Sequence, residues 1–142
     1  MTTPETPTRS VIVEKEFPHP PEKVWRALTE SSLIEQWLMK NDFQPLAGHT
    51  FTLRRDPVAN WNGIIECQVI AVEPFTRLSY TWGTLGHGLV VTFTLTPTTA
   101  GTHLRMEQSG FDLTNEQSYK GAMYGWKNFL GGLEQVVAGL ED

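Results

Sequence analysis

The residues able to do chemistry in this 142-residue chain are four histidines, one cysteine and a scatter of carboxylates. His19, His49, His87 and His103 fall in different segments. None has the HExxH spacing that sets two imidazoles around zinc, and no Cys or second His lies a few residues away. This pattern predicts no metal. There is no G-x-S-x-G elbow and no P-loop. The GTLGHG run at Gly83 to Gly88 lies between two strand patterns. A tight turn is expected there rather than a phosphate cradle. Cys67 has no basic neighbour in sequence and reads as a packed, inert thiol. No cofactor is expected.

Three polar residues are less bland. Glu66 and Gln68 share a strand face with Ile64 and Ile70, while Cys67 and Val69 take the other. If Glu66 points inward, it is a buried carboxylate that needs a partner, and Arg54 or Arg55 can supply it. If it points outward, it is an ordinary solvated side chain. Gln108 shares parity with Leu104 and Met106, which would put its amide inside the protein.

The elements that must position these residues follow from periodicity. Met1 to Arg9 holds Thr and Pro but no large apolar residue beyond the initiator, and a disordered tail is expected. A single domain is expected over 10–142. Val11, Val13 and Phe17 alternate as a first strand. Pro18, Pro20 and Pro21 end it, and Pro21 suits the first turn of a helix carrying Val24, Trp25 and Leu28. A second short helix follows, capped by Ser31 or Ser32, with Leu33, Ile34, Trp37 and Leu38 at helical spacing.

Five alternating segments come next: Thr50–Arg55, Gly63–Glu73, Arg77–Trp82, Leu89–Thr96 and Thr102–Phe111. Short turns join them, except for a loop at Asp56 to Asn62, so an antiparallel meander is expected. Tyr119, Met123, Trp126, Leu130, Leu133, Val137 and Leu140 then form one helical stripe. Capped at Thr114 or Asn115, it runs about 25 residues, nearly 40 Å at 1.5 Å per residue. A helix that long must lie across the sheet. The fold class is therefore α+β, a curved antiparallel sheet gripping one long C-terminal helix.

Composition narrows the partners. Eleven Lys and Arg stand against sixteen Asp and Glu, a net charge of −5. That argues against nucleic acid and against an anionic membrane surface. No apolar run approaches the roughly 20 residues of a membrane span, and the N-terminus lacks a signal-peptide core. A cytoplasmic protein is expected, and one cysteine fits a reducing compartment.

Five Trp, three Tyr and seven Phe are more aromatic bulk than a small core requires. A gap between sheet and helix is the natural ligand site. Its expected lining is Trp25, Trp37, Phe51, Tyr80, Trp82 and Phe93, with Met106, Gln108, Met123 and Trp126. Glu66 joins them if it faces inward. The long helix also carries Gly121, Gly125, Gly131, Gly132 and Gly139. Each costs up to about 1 kcal/mol relative to Ala. Close packing against a neighbour explains them in one reading, and room for a ligand in the other.

PPEKVWRALTESSLIEQW at Pro20 to Trp37 resembles the entry motif of the Activator of Hsp90 ATPase homologue 1-like family, in the START/Bet v 1-like (SRPBCC) superfamily. Gly63 to Glu73 with Pro74, RLSYTW at Arg77 to Trp82, GTHLRMEQSGF at Gly101 to Phe111 and GWKNFLGGL at Gly125 to Leu133 follow in the family's order. The resemblance covers about Ser10 to Leu140. It implies a helix-grip fold with a cavity for a hydrophobic ligand. Members of the superfamily bind lipids, sterols, hormones or polyketides, and some are cyclases or hydroxylases. The family's namesake stimulates a chaperone ATPase through a separate N-terminal domain to which nothing here corresponds. The superfamily's oxygenases carry an iron–sulfur domain that one cysteine cannot supply.

The leading expectation is a non-catalytic binder of a small hydrophobic or amphipathic molecule. A second is a cyclase, dehydratase or hydrolase working through Glu66, Tyr80 and Gln108. A third is a stress-related chaperone cofactor acting through its surface. A homodimer stays open.

Overall fold

The computed structural model describes residues 8–55, 63–83, 89–112 and 116–140. The N-terminal residues 1–7, the 56–62 loop, most of the 83–88 glycine turn and the expected helix cap at 113–115 lie outside the described residues. The elements run β1 (Thr8–Phe17), α1 (Pro21–Thr29), α2 (Ser31–Trp37), β2 (Lys40–Asn41), β3 (Thr50–Arg54), β4 (Ile64–Glu73), β5 (Arg77–Trp82), β6 (Leu89–Pro97), β7 (Thr102–Asp112) and α3 (Glu116–Ala138). The sheet is antiparallel throughout, in the order β1-β7-β6-β5-β4-β3-β2. This is the helix-grip architecture.

Strand parity decides what faces α3. Along β4, Ile65, Cys67 and Val69 are buried and Ile64, Glu66, Gln68 and Ile70 are exposed. On β7, Leu104, Met106 and Gln108 point in, while His103, Arg105 and Glu107 form the outer row. α3 packs on α1, α2 and β1. Its N-terminal turns lie over the sheet end that holds Trp82, Val90, Ser109 and Phe111, here called the upper end. Its C-terminal turns lie over the lower end, where α1 and α2 also sit.

Two local expectations change, and one short strand is added. β1 starts at Thr8, and Arg9 is in the sheet opposite Phe111. The Arg9 guanidinium lies 3.6 Å from the Tyr119 ring centre and pairs with Glu116 at 2.6 Å, so α3 fixes the strand's start. Ser31 does not cap α2. Its hydroxyl donates to the Asn41 carbonyl at 3.1 Å, and the Asn41 amide returns a bond to the Ser31 carbonyl. That exchange anchors β2, a two-residue strand too short to show a period.

Candidate functional site

The gap between α3 and the sheet is filled by aromatic rings in its lower and middle parts. The Trp37 indole N–H donates to the Ala27 carbonyl at 2.8 Å, clamping α2 to α1. Its ring meets Phe93 edge-on at 6.2 Å, and Phe93 meets Trp126 at 6.0 Å. Tyr80 stands against Phe51, Phe43 and Phe93. Burial raises the Tyr80 phenol well above its ordinary range, so it is a neutral hydrogen-bonding group.

Trp126 is the hinge of the arrangement. It is 2% exposed, and its indole N–H donates to Gln108 Oε1 at 2.7 Å. A buried indole and a buried amide each need a partner, and here each is the other's. The bond ties the middle of α3 to the middle of β7. Trp126 also meets Trp82 at 5.3 Å and Phe129 at 5.5 Å.

Above Trp126 the packing changes. From Glu116 to Gly125, no residue of α3 whose burial is described is buried. Tyr119, Ala122 and Met123 nevertheless pack against the core from partly exposed positions, as do Trp82, Leu89 and Phe129. This unsealed upper half is the candidate site. Phe129, which meets Trp126, also lines a cleft of about 650 Å³ with Leu38, Met39, Lys40, Arg54 and Arg55.

The expected site residues divide accordingly. Trp82 and Met123 lie in the upper half, against the buried Gln108–Trp126 pair at its boundary. Trp37, Phe51, Tyr80, Phe93 and Met106 are buried beneath them as packed core. Trp25 is not in the group: it packs at 6.2 Å on Phe75, at the β4–β5 turn of the lower end. Glu66 is a correction to the inward reading. The alternation of β4 puts it on the exposed face, with Thr52 as its cross-strand neighbour. It lines an open outer depression of about 530 Å³ with Asp42, Thr52, Gln68 and Thr81. Among the described residues no ion pair joins it to Arg54 or Arg55.

The sequence pattern does not single out Phe43, Phe129 or the Lys40, Arg54 and Arg55 cations as site residues. Phe129 lies on the flank of the stripe, three residues after Trp126, and that spacing was the available signal. At Gly132 a Cβ would sit 3.5 Å from Trp37 Cβ, an ordinary van der Waals contact, so α3 runs close to α2 there without glycine being required. Gly121, Gly125 and Gly131 have nothing within 4 Å of that position, so contact does not require them.

The chemistry on hand is limited. Among the residues whose burial is described, no Asp or Glu is buried. Burial, with Asp42 and Glu66 nearby, pushes the Cys67 thiol up to about 12. Among the described residues no group of three His, Cys, Asp or Glu side chains could hold a metal ion. No described helix is long and apolar enough to cross a membrane.

Known proteins resemble the chain in sequence and shape. A family model described as Activator of Hsp90 ATPase homolog 1-like protein matches residues 18–138. The crystal structure of MLL2253 from Mesorhizobium loti shares 51% identity over 94% of this chain and 100% of that one, with a TM-score of 0.84. The solution structure of BH1534 from Bacillus halodurans shares 30% identity over 91% of this chain and 96% of that one, with a TM-score of 0.76. DynU16, titled a putative protein in the dynemicin biosynthetic locus, is 24% identical with a TM-score of 0.79, over 96% of this chain and 48% of that one. At that identity it speaks for the fold alone. No curated protein matches the chain.

Proposed function

The chain belongs to the Activator of Hsp90 ATPase homolog 1-like family, and from that premise we propose that it carries a small hydrophobic or amphipathic molecule between the upper half of α3 and the sheet, without transforming it. The observation behind this reading is that α3 buries its apolar stripe only from Trp126 onward. Apolar side chains left half-covered beside a cleft are a surface that a ligand can complete. Trp82 and Met123 would be its walls, and the Gln108–Trp126 pair its floor. Absence of chemistry is favoured by the neutral Tyr80, the suppressed Cys67 thiolate and the lack of a buried carboxylate among the residues whose burial is described. The cytoplasm is the compartment we propose, where a lone thiol stays reduced.

Native mass spectrometry of protein purified from its own host tests the proposal directly. A co-purifying molecule should appear, and returning it to stripped protein should change Trp fluorescence. The melting temperature should rise, because a ligand bound only to the folded state at a hundredfold excess over Kd stabilises it by about 2.7 kcal/mol. Chemical conversion of that molecule on incubation would replace the carrier with an enzyme.

A further inference from the structure

Building on the carrier reading, we propose that the ligand is an anionic amphiphile whose head group is held at the cleft mouth by Lys40, Arg54 and Arg55. The central observation is a like-charge pair. The β2–β3 register places Lys40 directly opposite Arg54, and Arg55 follows at the end of β3 and lines the same cleft. Like charges directly opposite in an antiparallel pair destabilise it. Among the described residues no ion pair with a carboxylate relieves any of the three. Asp42 is near enough to Arg54 to feel its charge, but its Oδ1 accepts the Thr52 amide at 2.6 Å.

Three cations thus gather at one opening of a chain whose net charge is −5. The other residues lining the cleft are apolar: Leu38 and Met39 are buried and Phe129 is partly buried on α3. Charged and apolar residues lining one cleft fit one kind of molecule, a carboxylate or sulfonate joined to a chain or ring. Such an anion bridges Lys40 and Arg54, relieves their repulsion and accepts charge-assisted hydrogen bonds. A neutral amphiphile of the same body does none of these.

Dodecanoate and 1-dodecanol, both below their aggregation limits, make the comparison, followed by Trp fluorescence. Wild type should bind dodecanoate the more tightly, and added salt should weaken dodecanoate alone. Lys40→Gln, Arg54→Gln and Arg55→Gln should each weaken dodecanoate roughly two- to fivefold, the range of exposed ion pairs, and leave dodecanol unchanged. Lys40→Gln should also raise the melting temperature of the ligand-free protein, which a merely structural lysine would lower. Equal affinity for both probes in wild type, or dodecanoate binding untouched in the triple variant, overturns the anionic head group and leaves the carrier standing. Failure to bind either probe defeats the carrier and this inference together.

Discussion

The lower and upper halves of the gap beneath α3 are built on one apolar stripe, yet only one half is sealed. In the lower half Trp126, Leu130, Leu133 and Val137 are at most 2% exposed. In the upper half Tyr119 and Met123, on the same stripe, stay partly exposed. The difference lies in what stands behind the helix. Below, α1 and α2 form a second layer, and α3 runs close to Trp37 at Gly132. Above, α3 has the strand ends, with Arg9 and Phe111 against Tyr119. Periodicity therefore reports which face of a helix turns inward. Whether that face is closed depends on a third element.

The largest test falls on the boundary. Trp126→Ala removes a buried indole and orphans Gln108, and should cost about 3–5 kcal/mol. A denaturant midpoint unchanged from wild type would refute its burial. The two halves are then compared by equal truncations. Leu133→Ala should cost about 2–5 kcal/mol, as core leucines do, while Met123→Ala should cost no more than about 1 kcal/mol. Equal losses would mean that the upper half is core and has no room for a ligand.

A smaller effect isolates the polar tie. Gln108→Leu leaves the Trp126 N–H buried and unpaired, which should cost about 1–3 kcal/mol. Trp126→Phe removes the other partner, and the double variant should lose less than the sum of the two. Strict additivity in urea melts would show that the bond contributes nothing beyond its parts.

Much of this fold could be read from local pattern. Alternation in Val11–Phe17, Arg77–Trp82 and Leu104–Gln108 places those side chains on the faces where they are found, and the Tyr119–Val137 stripe identifies the gripping helix. Strand and helix parity point inward for Gln108 and Trp126 separately, but their bond joins positions 18 apart on different elements, and periodicity carries no such pairing. Parity put Glu66 on one of two faces without saying which; Cys67 and Val69 take the core because they are the less polar set. The cleft mouth was beyond reach. It combines the end of α2, a two-residue strand, the end of β3 and the flank of α3, and none of these carries a period that points to the others.

Gly125 offers a gain rather than a loss. It lies in the upper half of α3 with nothing within 4 Å of where a Cβ would sit. Gly125→Ala should stabilise the protein by up to about 1 kcal/mol through helix propensity. A lower melting temperature would mean that the upper half is more tightly packed than its exposure indicates.

The smallest effect belongs to the outer face at the lower end, where β1 is fastened to β7. His103 Nδ1 pairs with Glu16 and Nε2 with Glu14 at 2.9 Å. The hydrogen bond donated to Glu16, then that donated to Glu14, holds the imidazolium and raises its pKa above the ordinary value. A raised folded-state pKa gives stability that is fully present below the unfolded value, about 6.5, and is lost as pH rises through the folded one. All three side chains are solvated, so the gain should stay below about 1 kcal/mol. The stability difference between wild type and His103→Gln should therefore favour wild type near pH 5.5, shrink toward pH 8 and shrink further in high salt. Ligand binding should not follow it, because His103 lies on the outer face of the sheet and is not among the residues lining the cleft. A difference that grows with pH would reverse the sign of the argument. Ligand affinity that tracks the His103 titration would show that the two ends of the gap are coupled rather than independent.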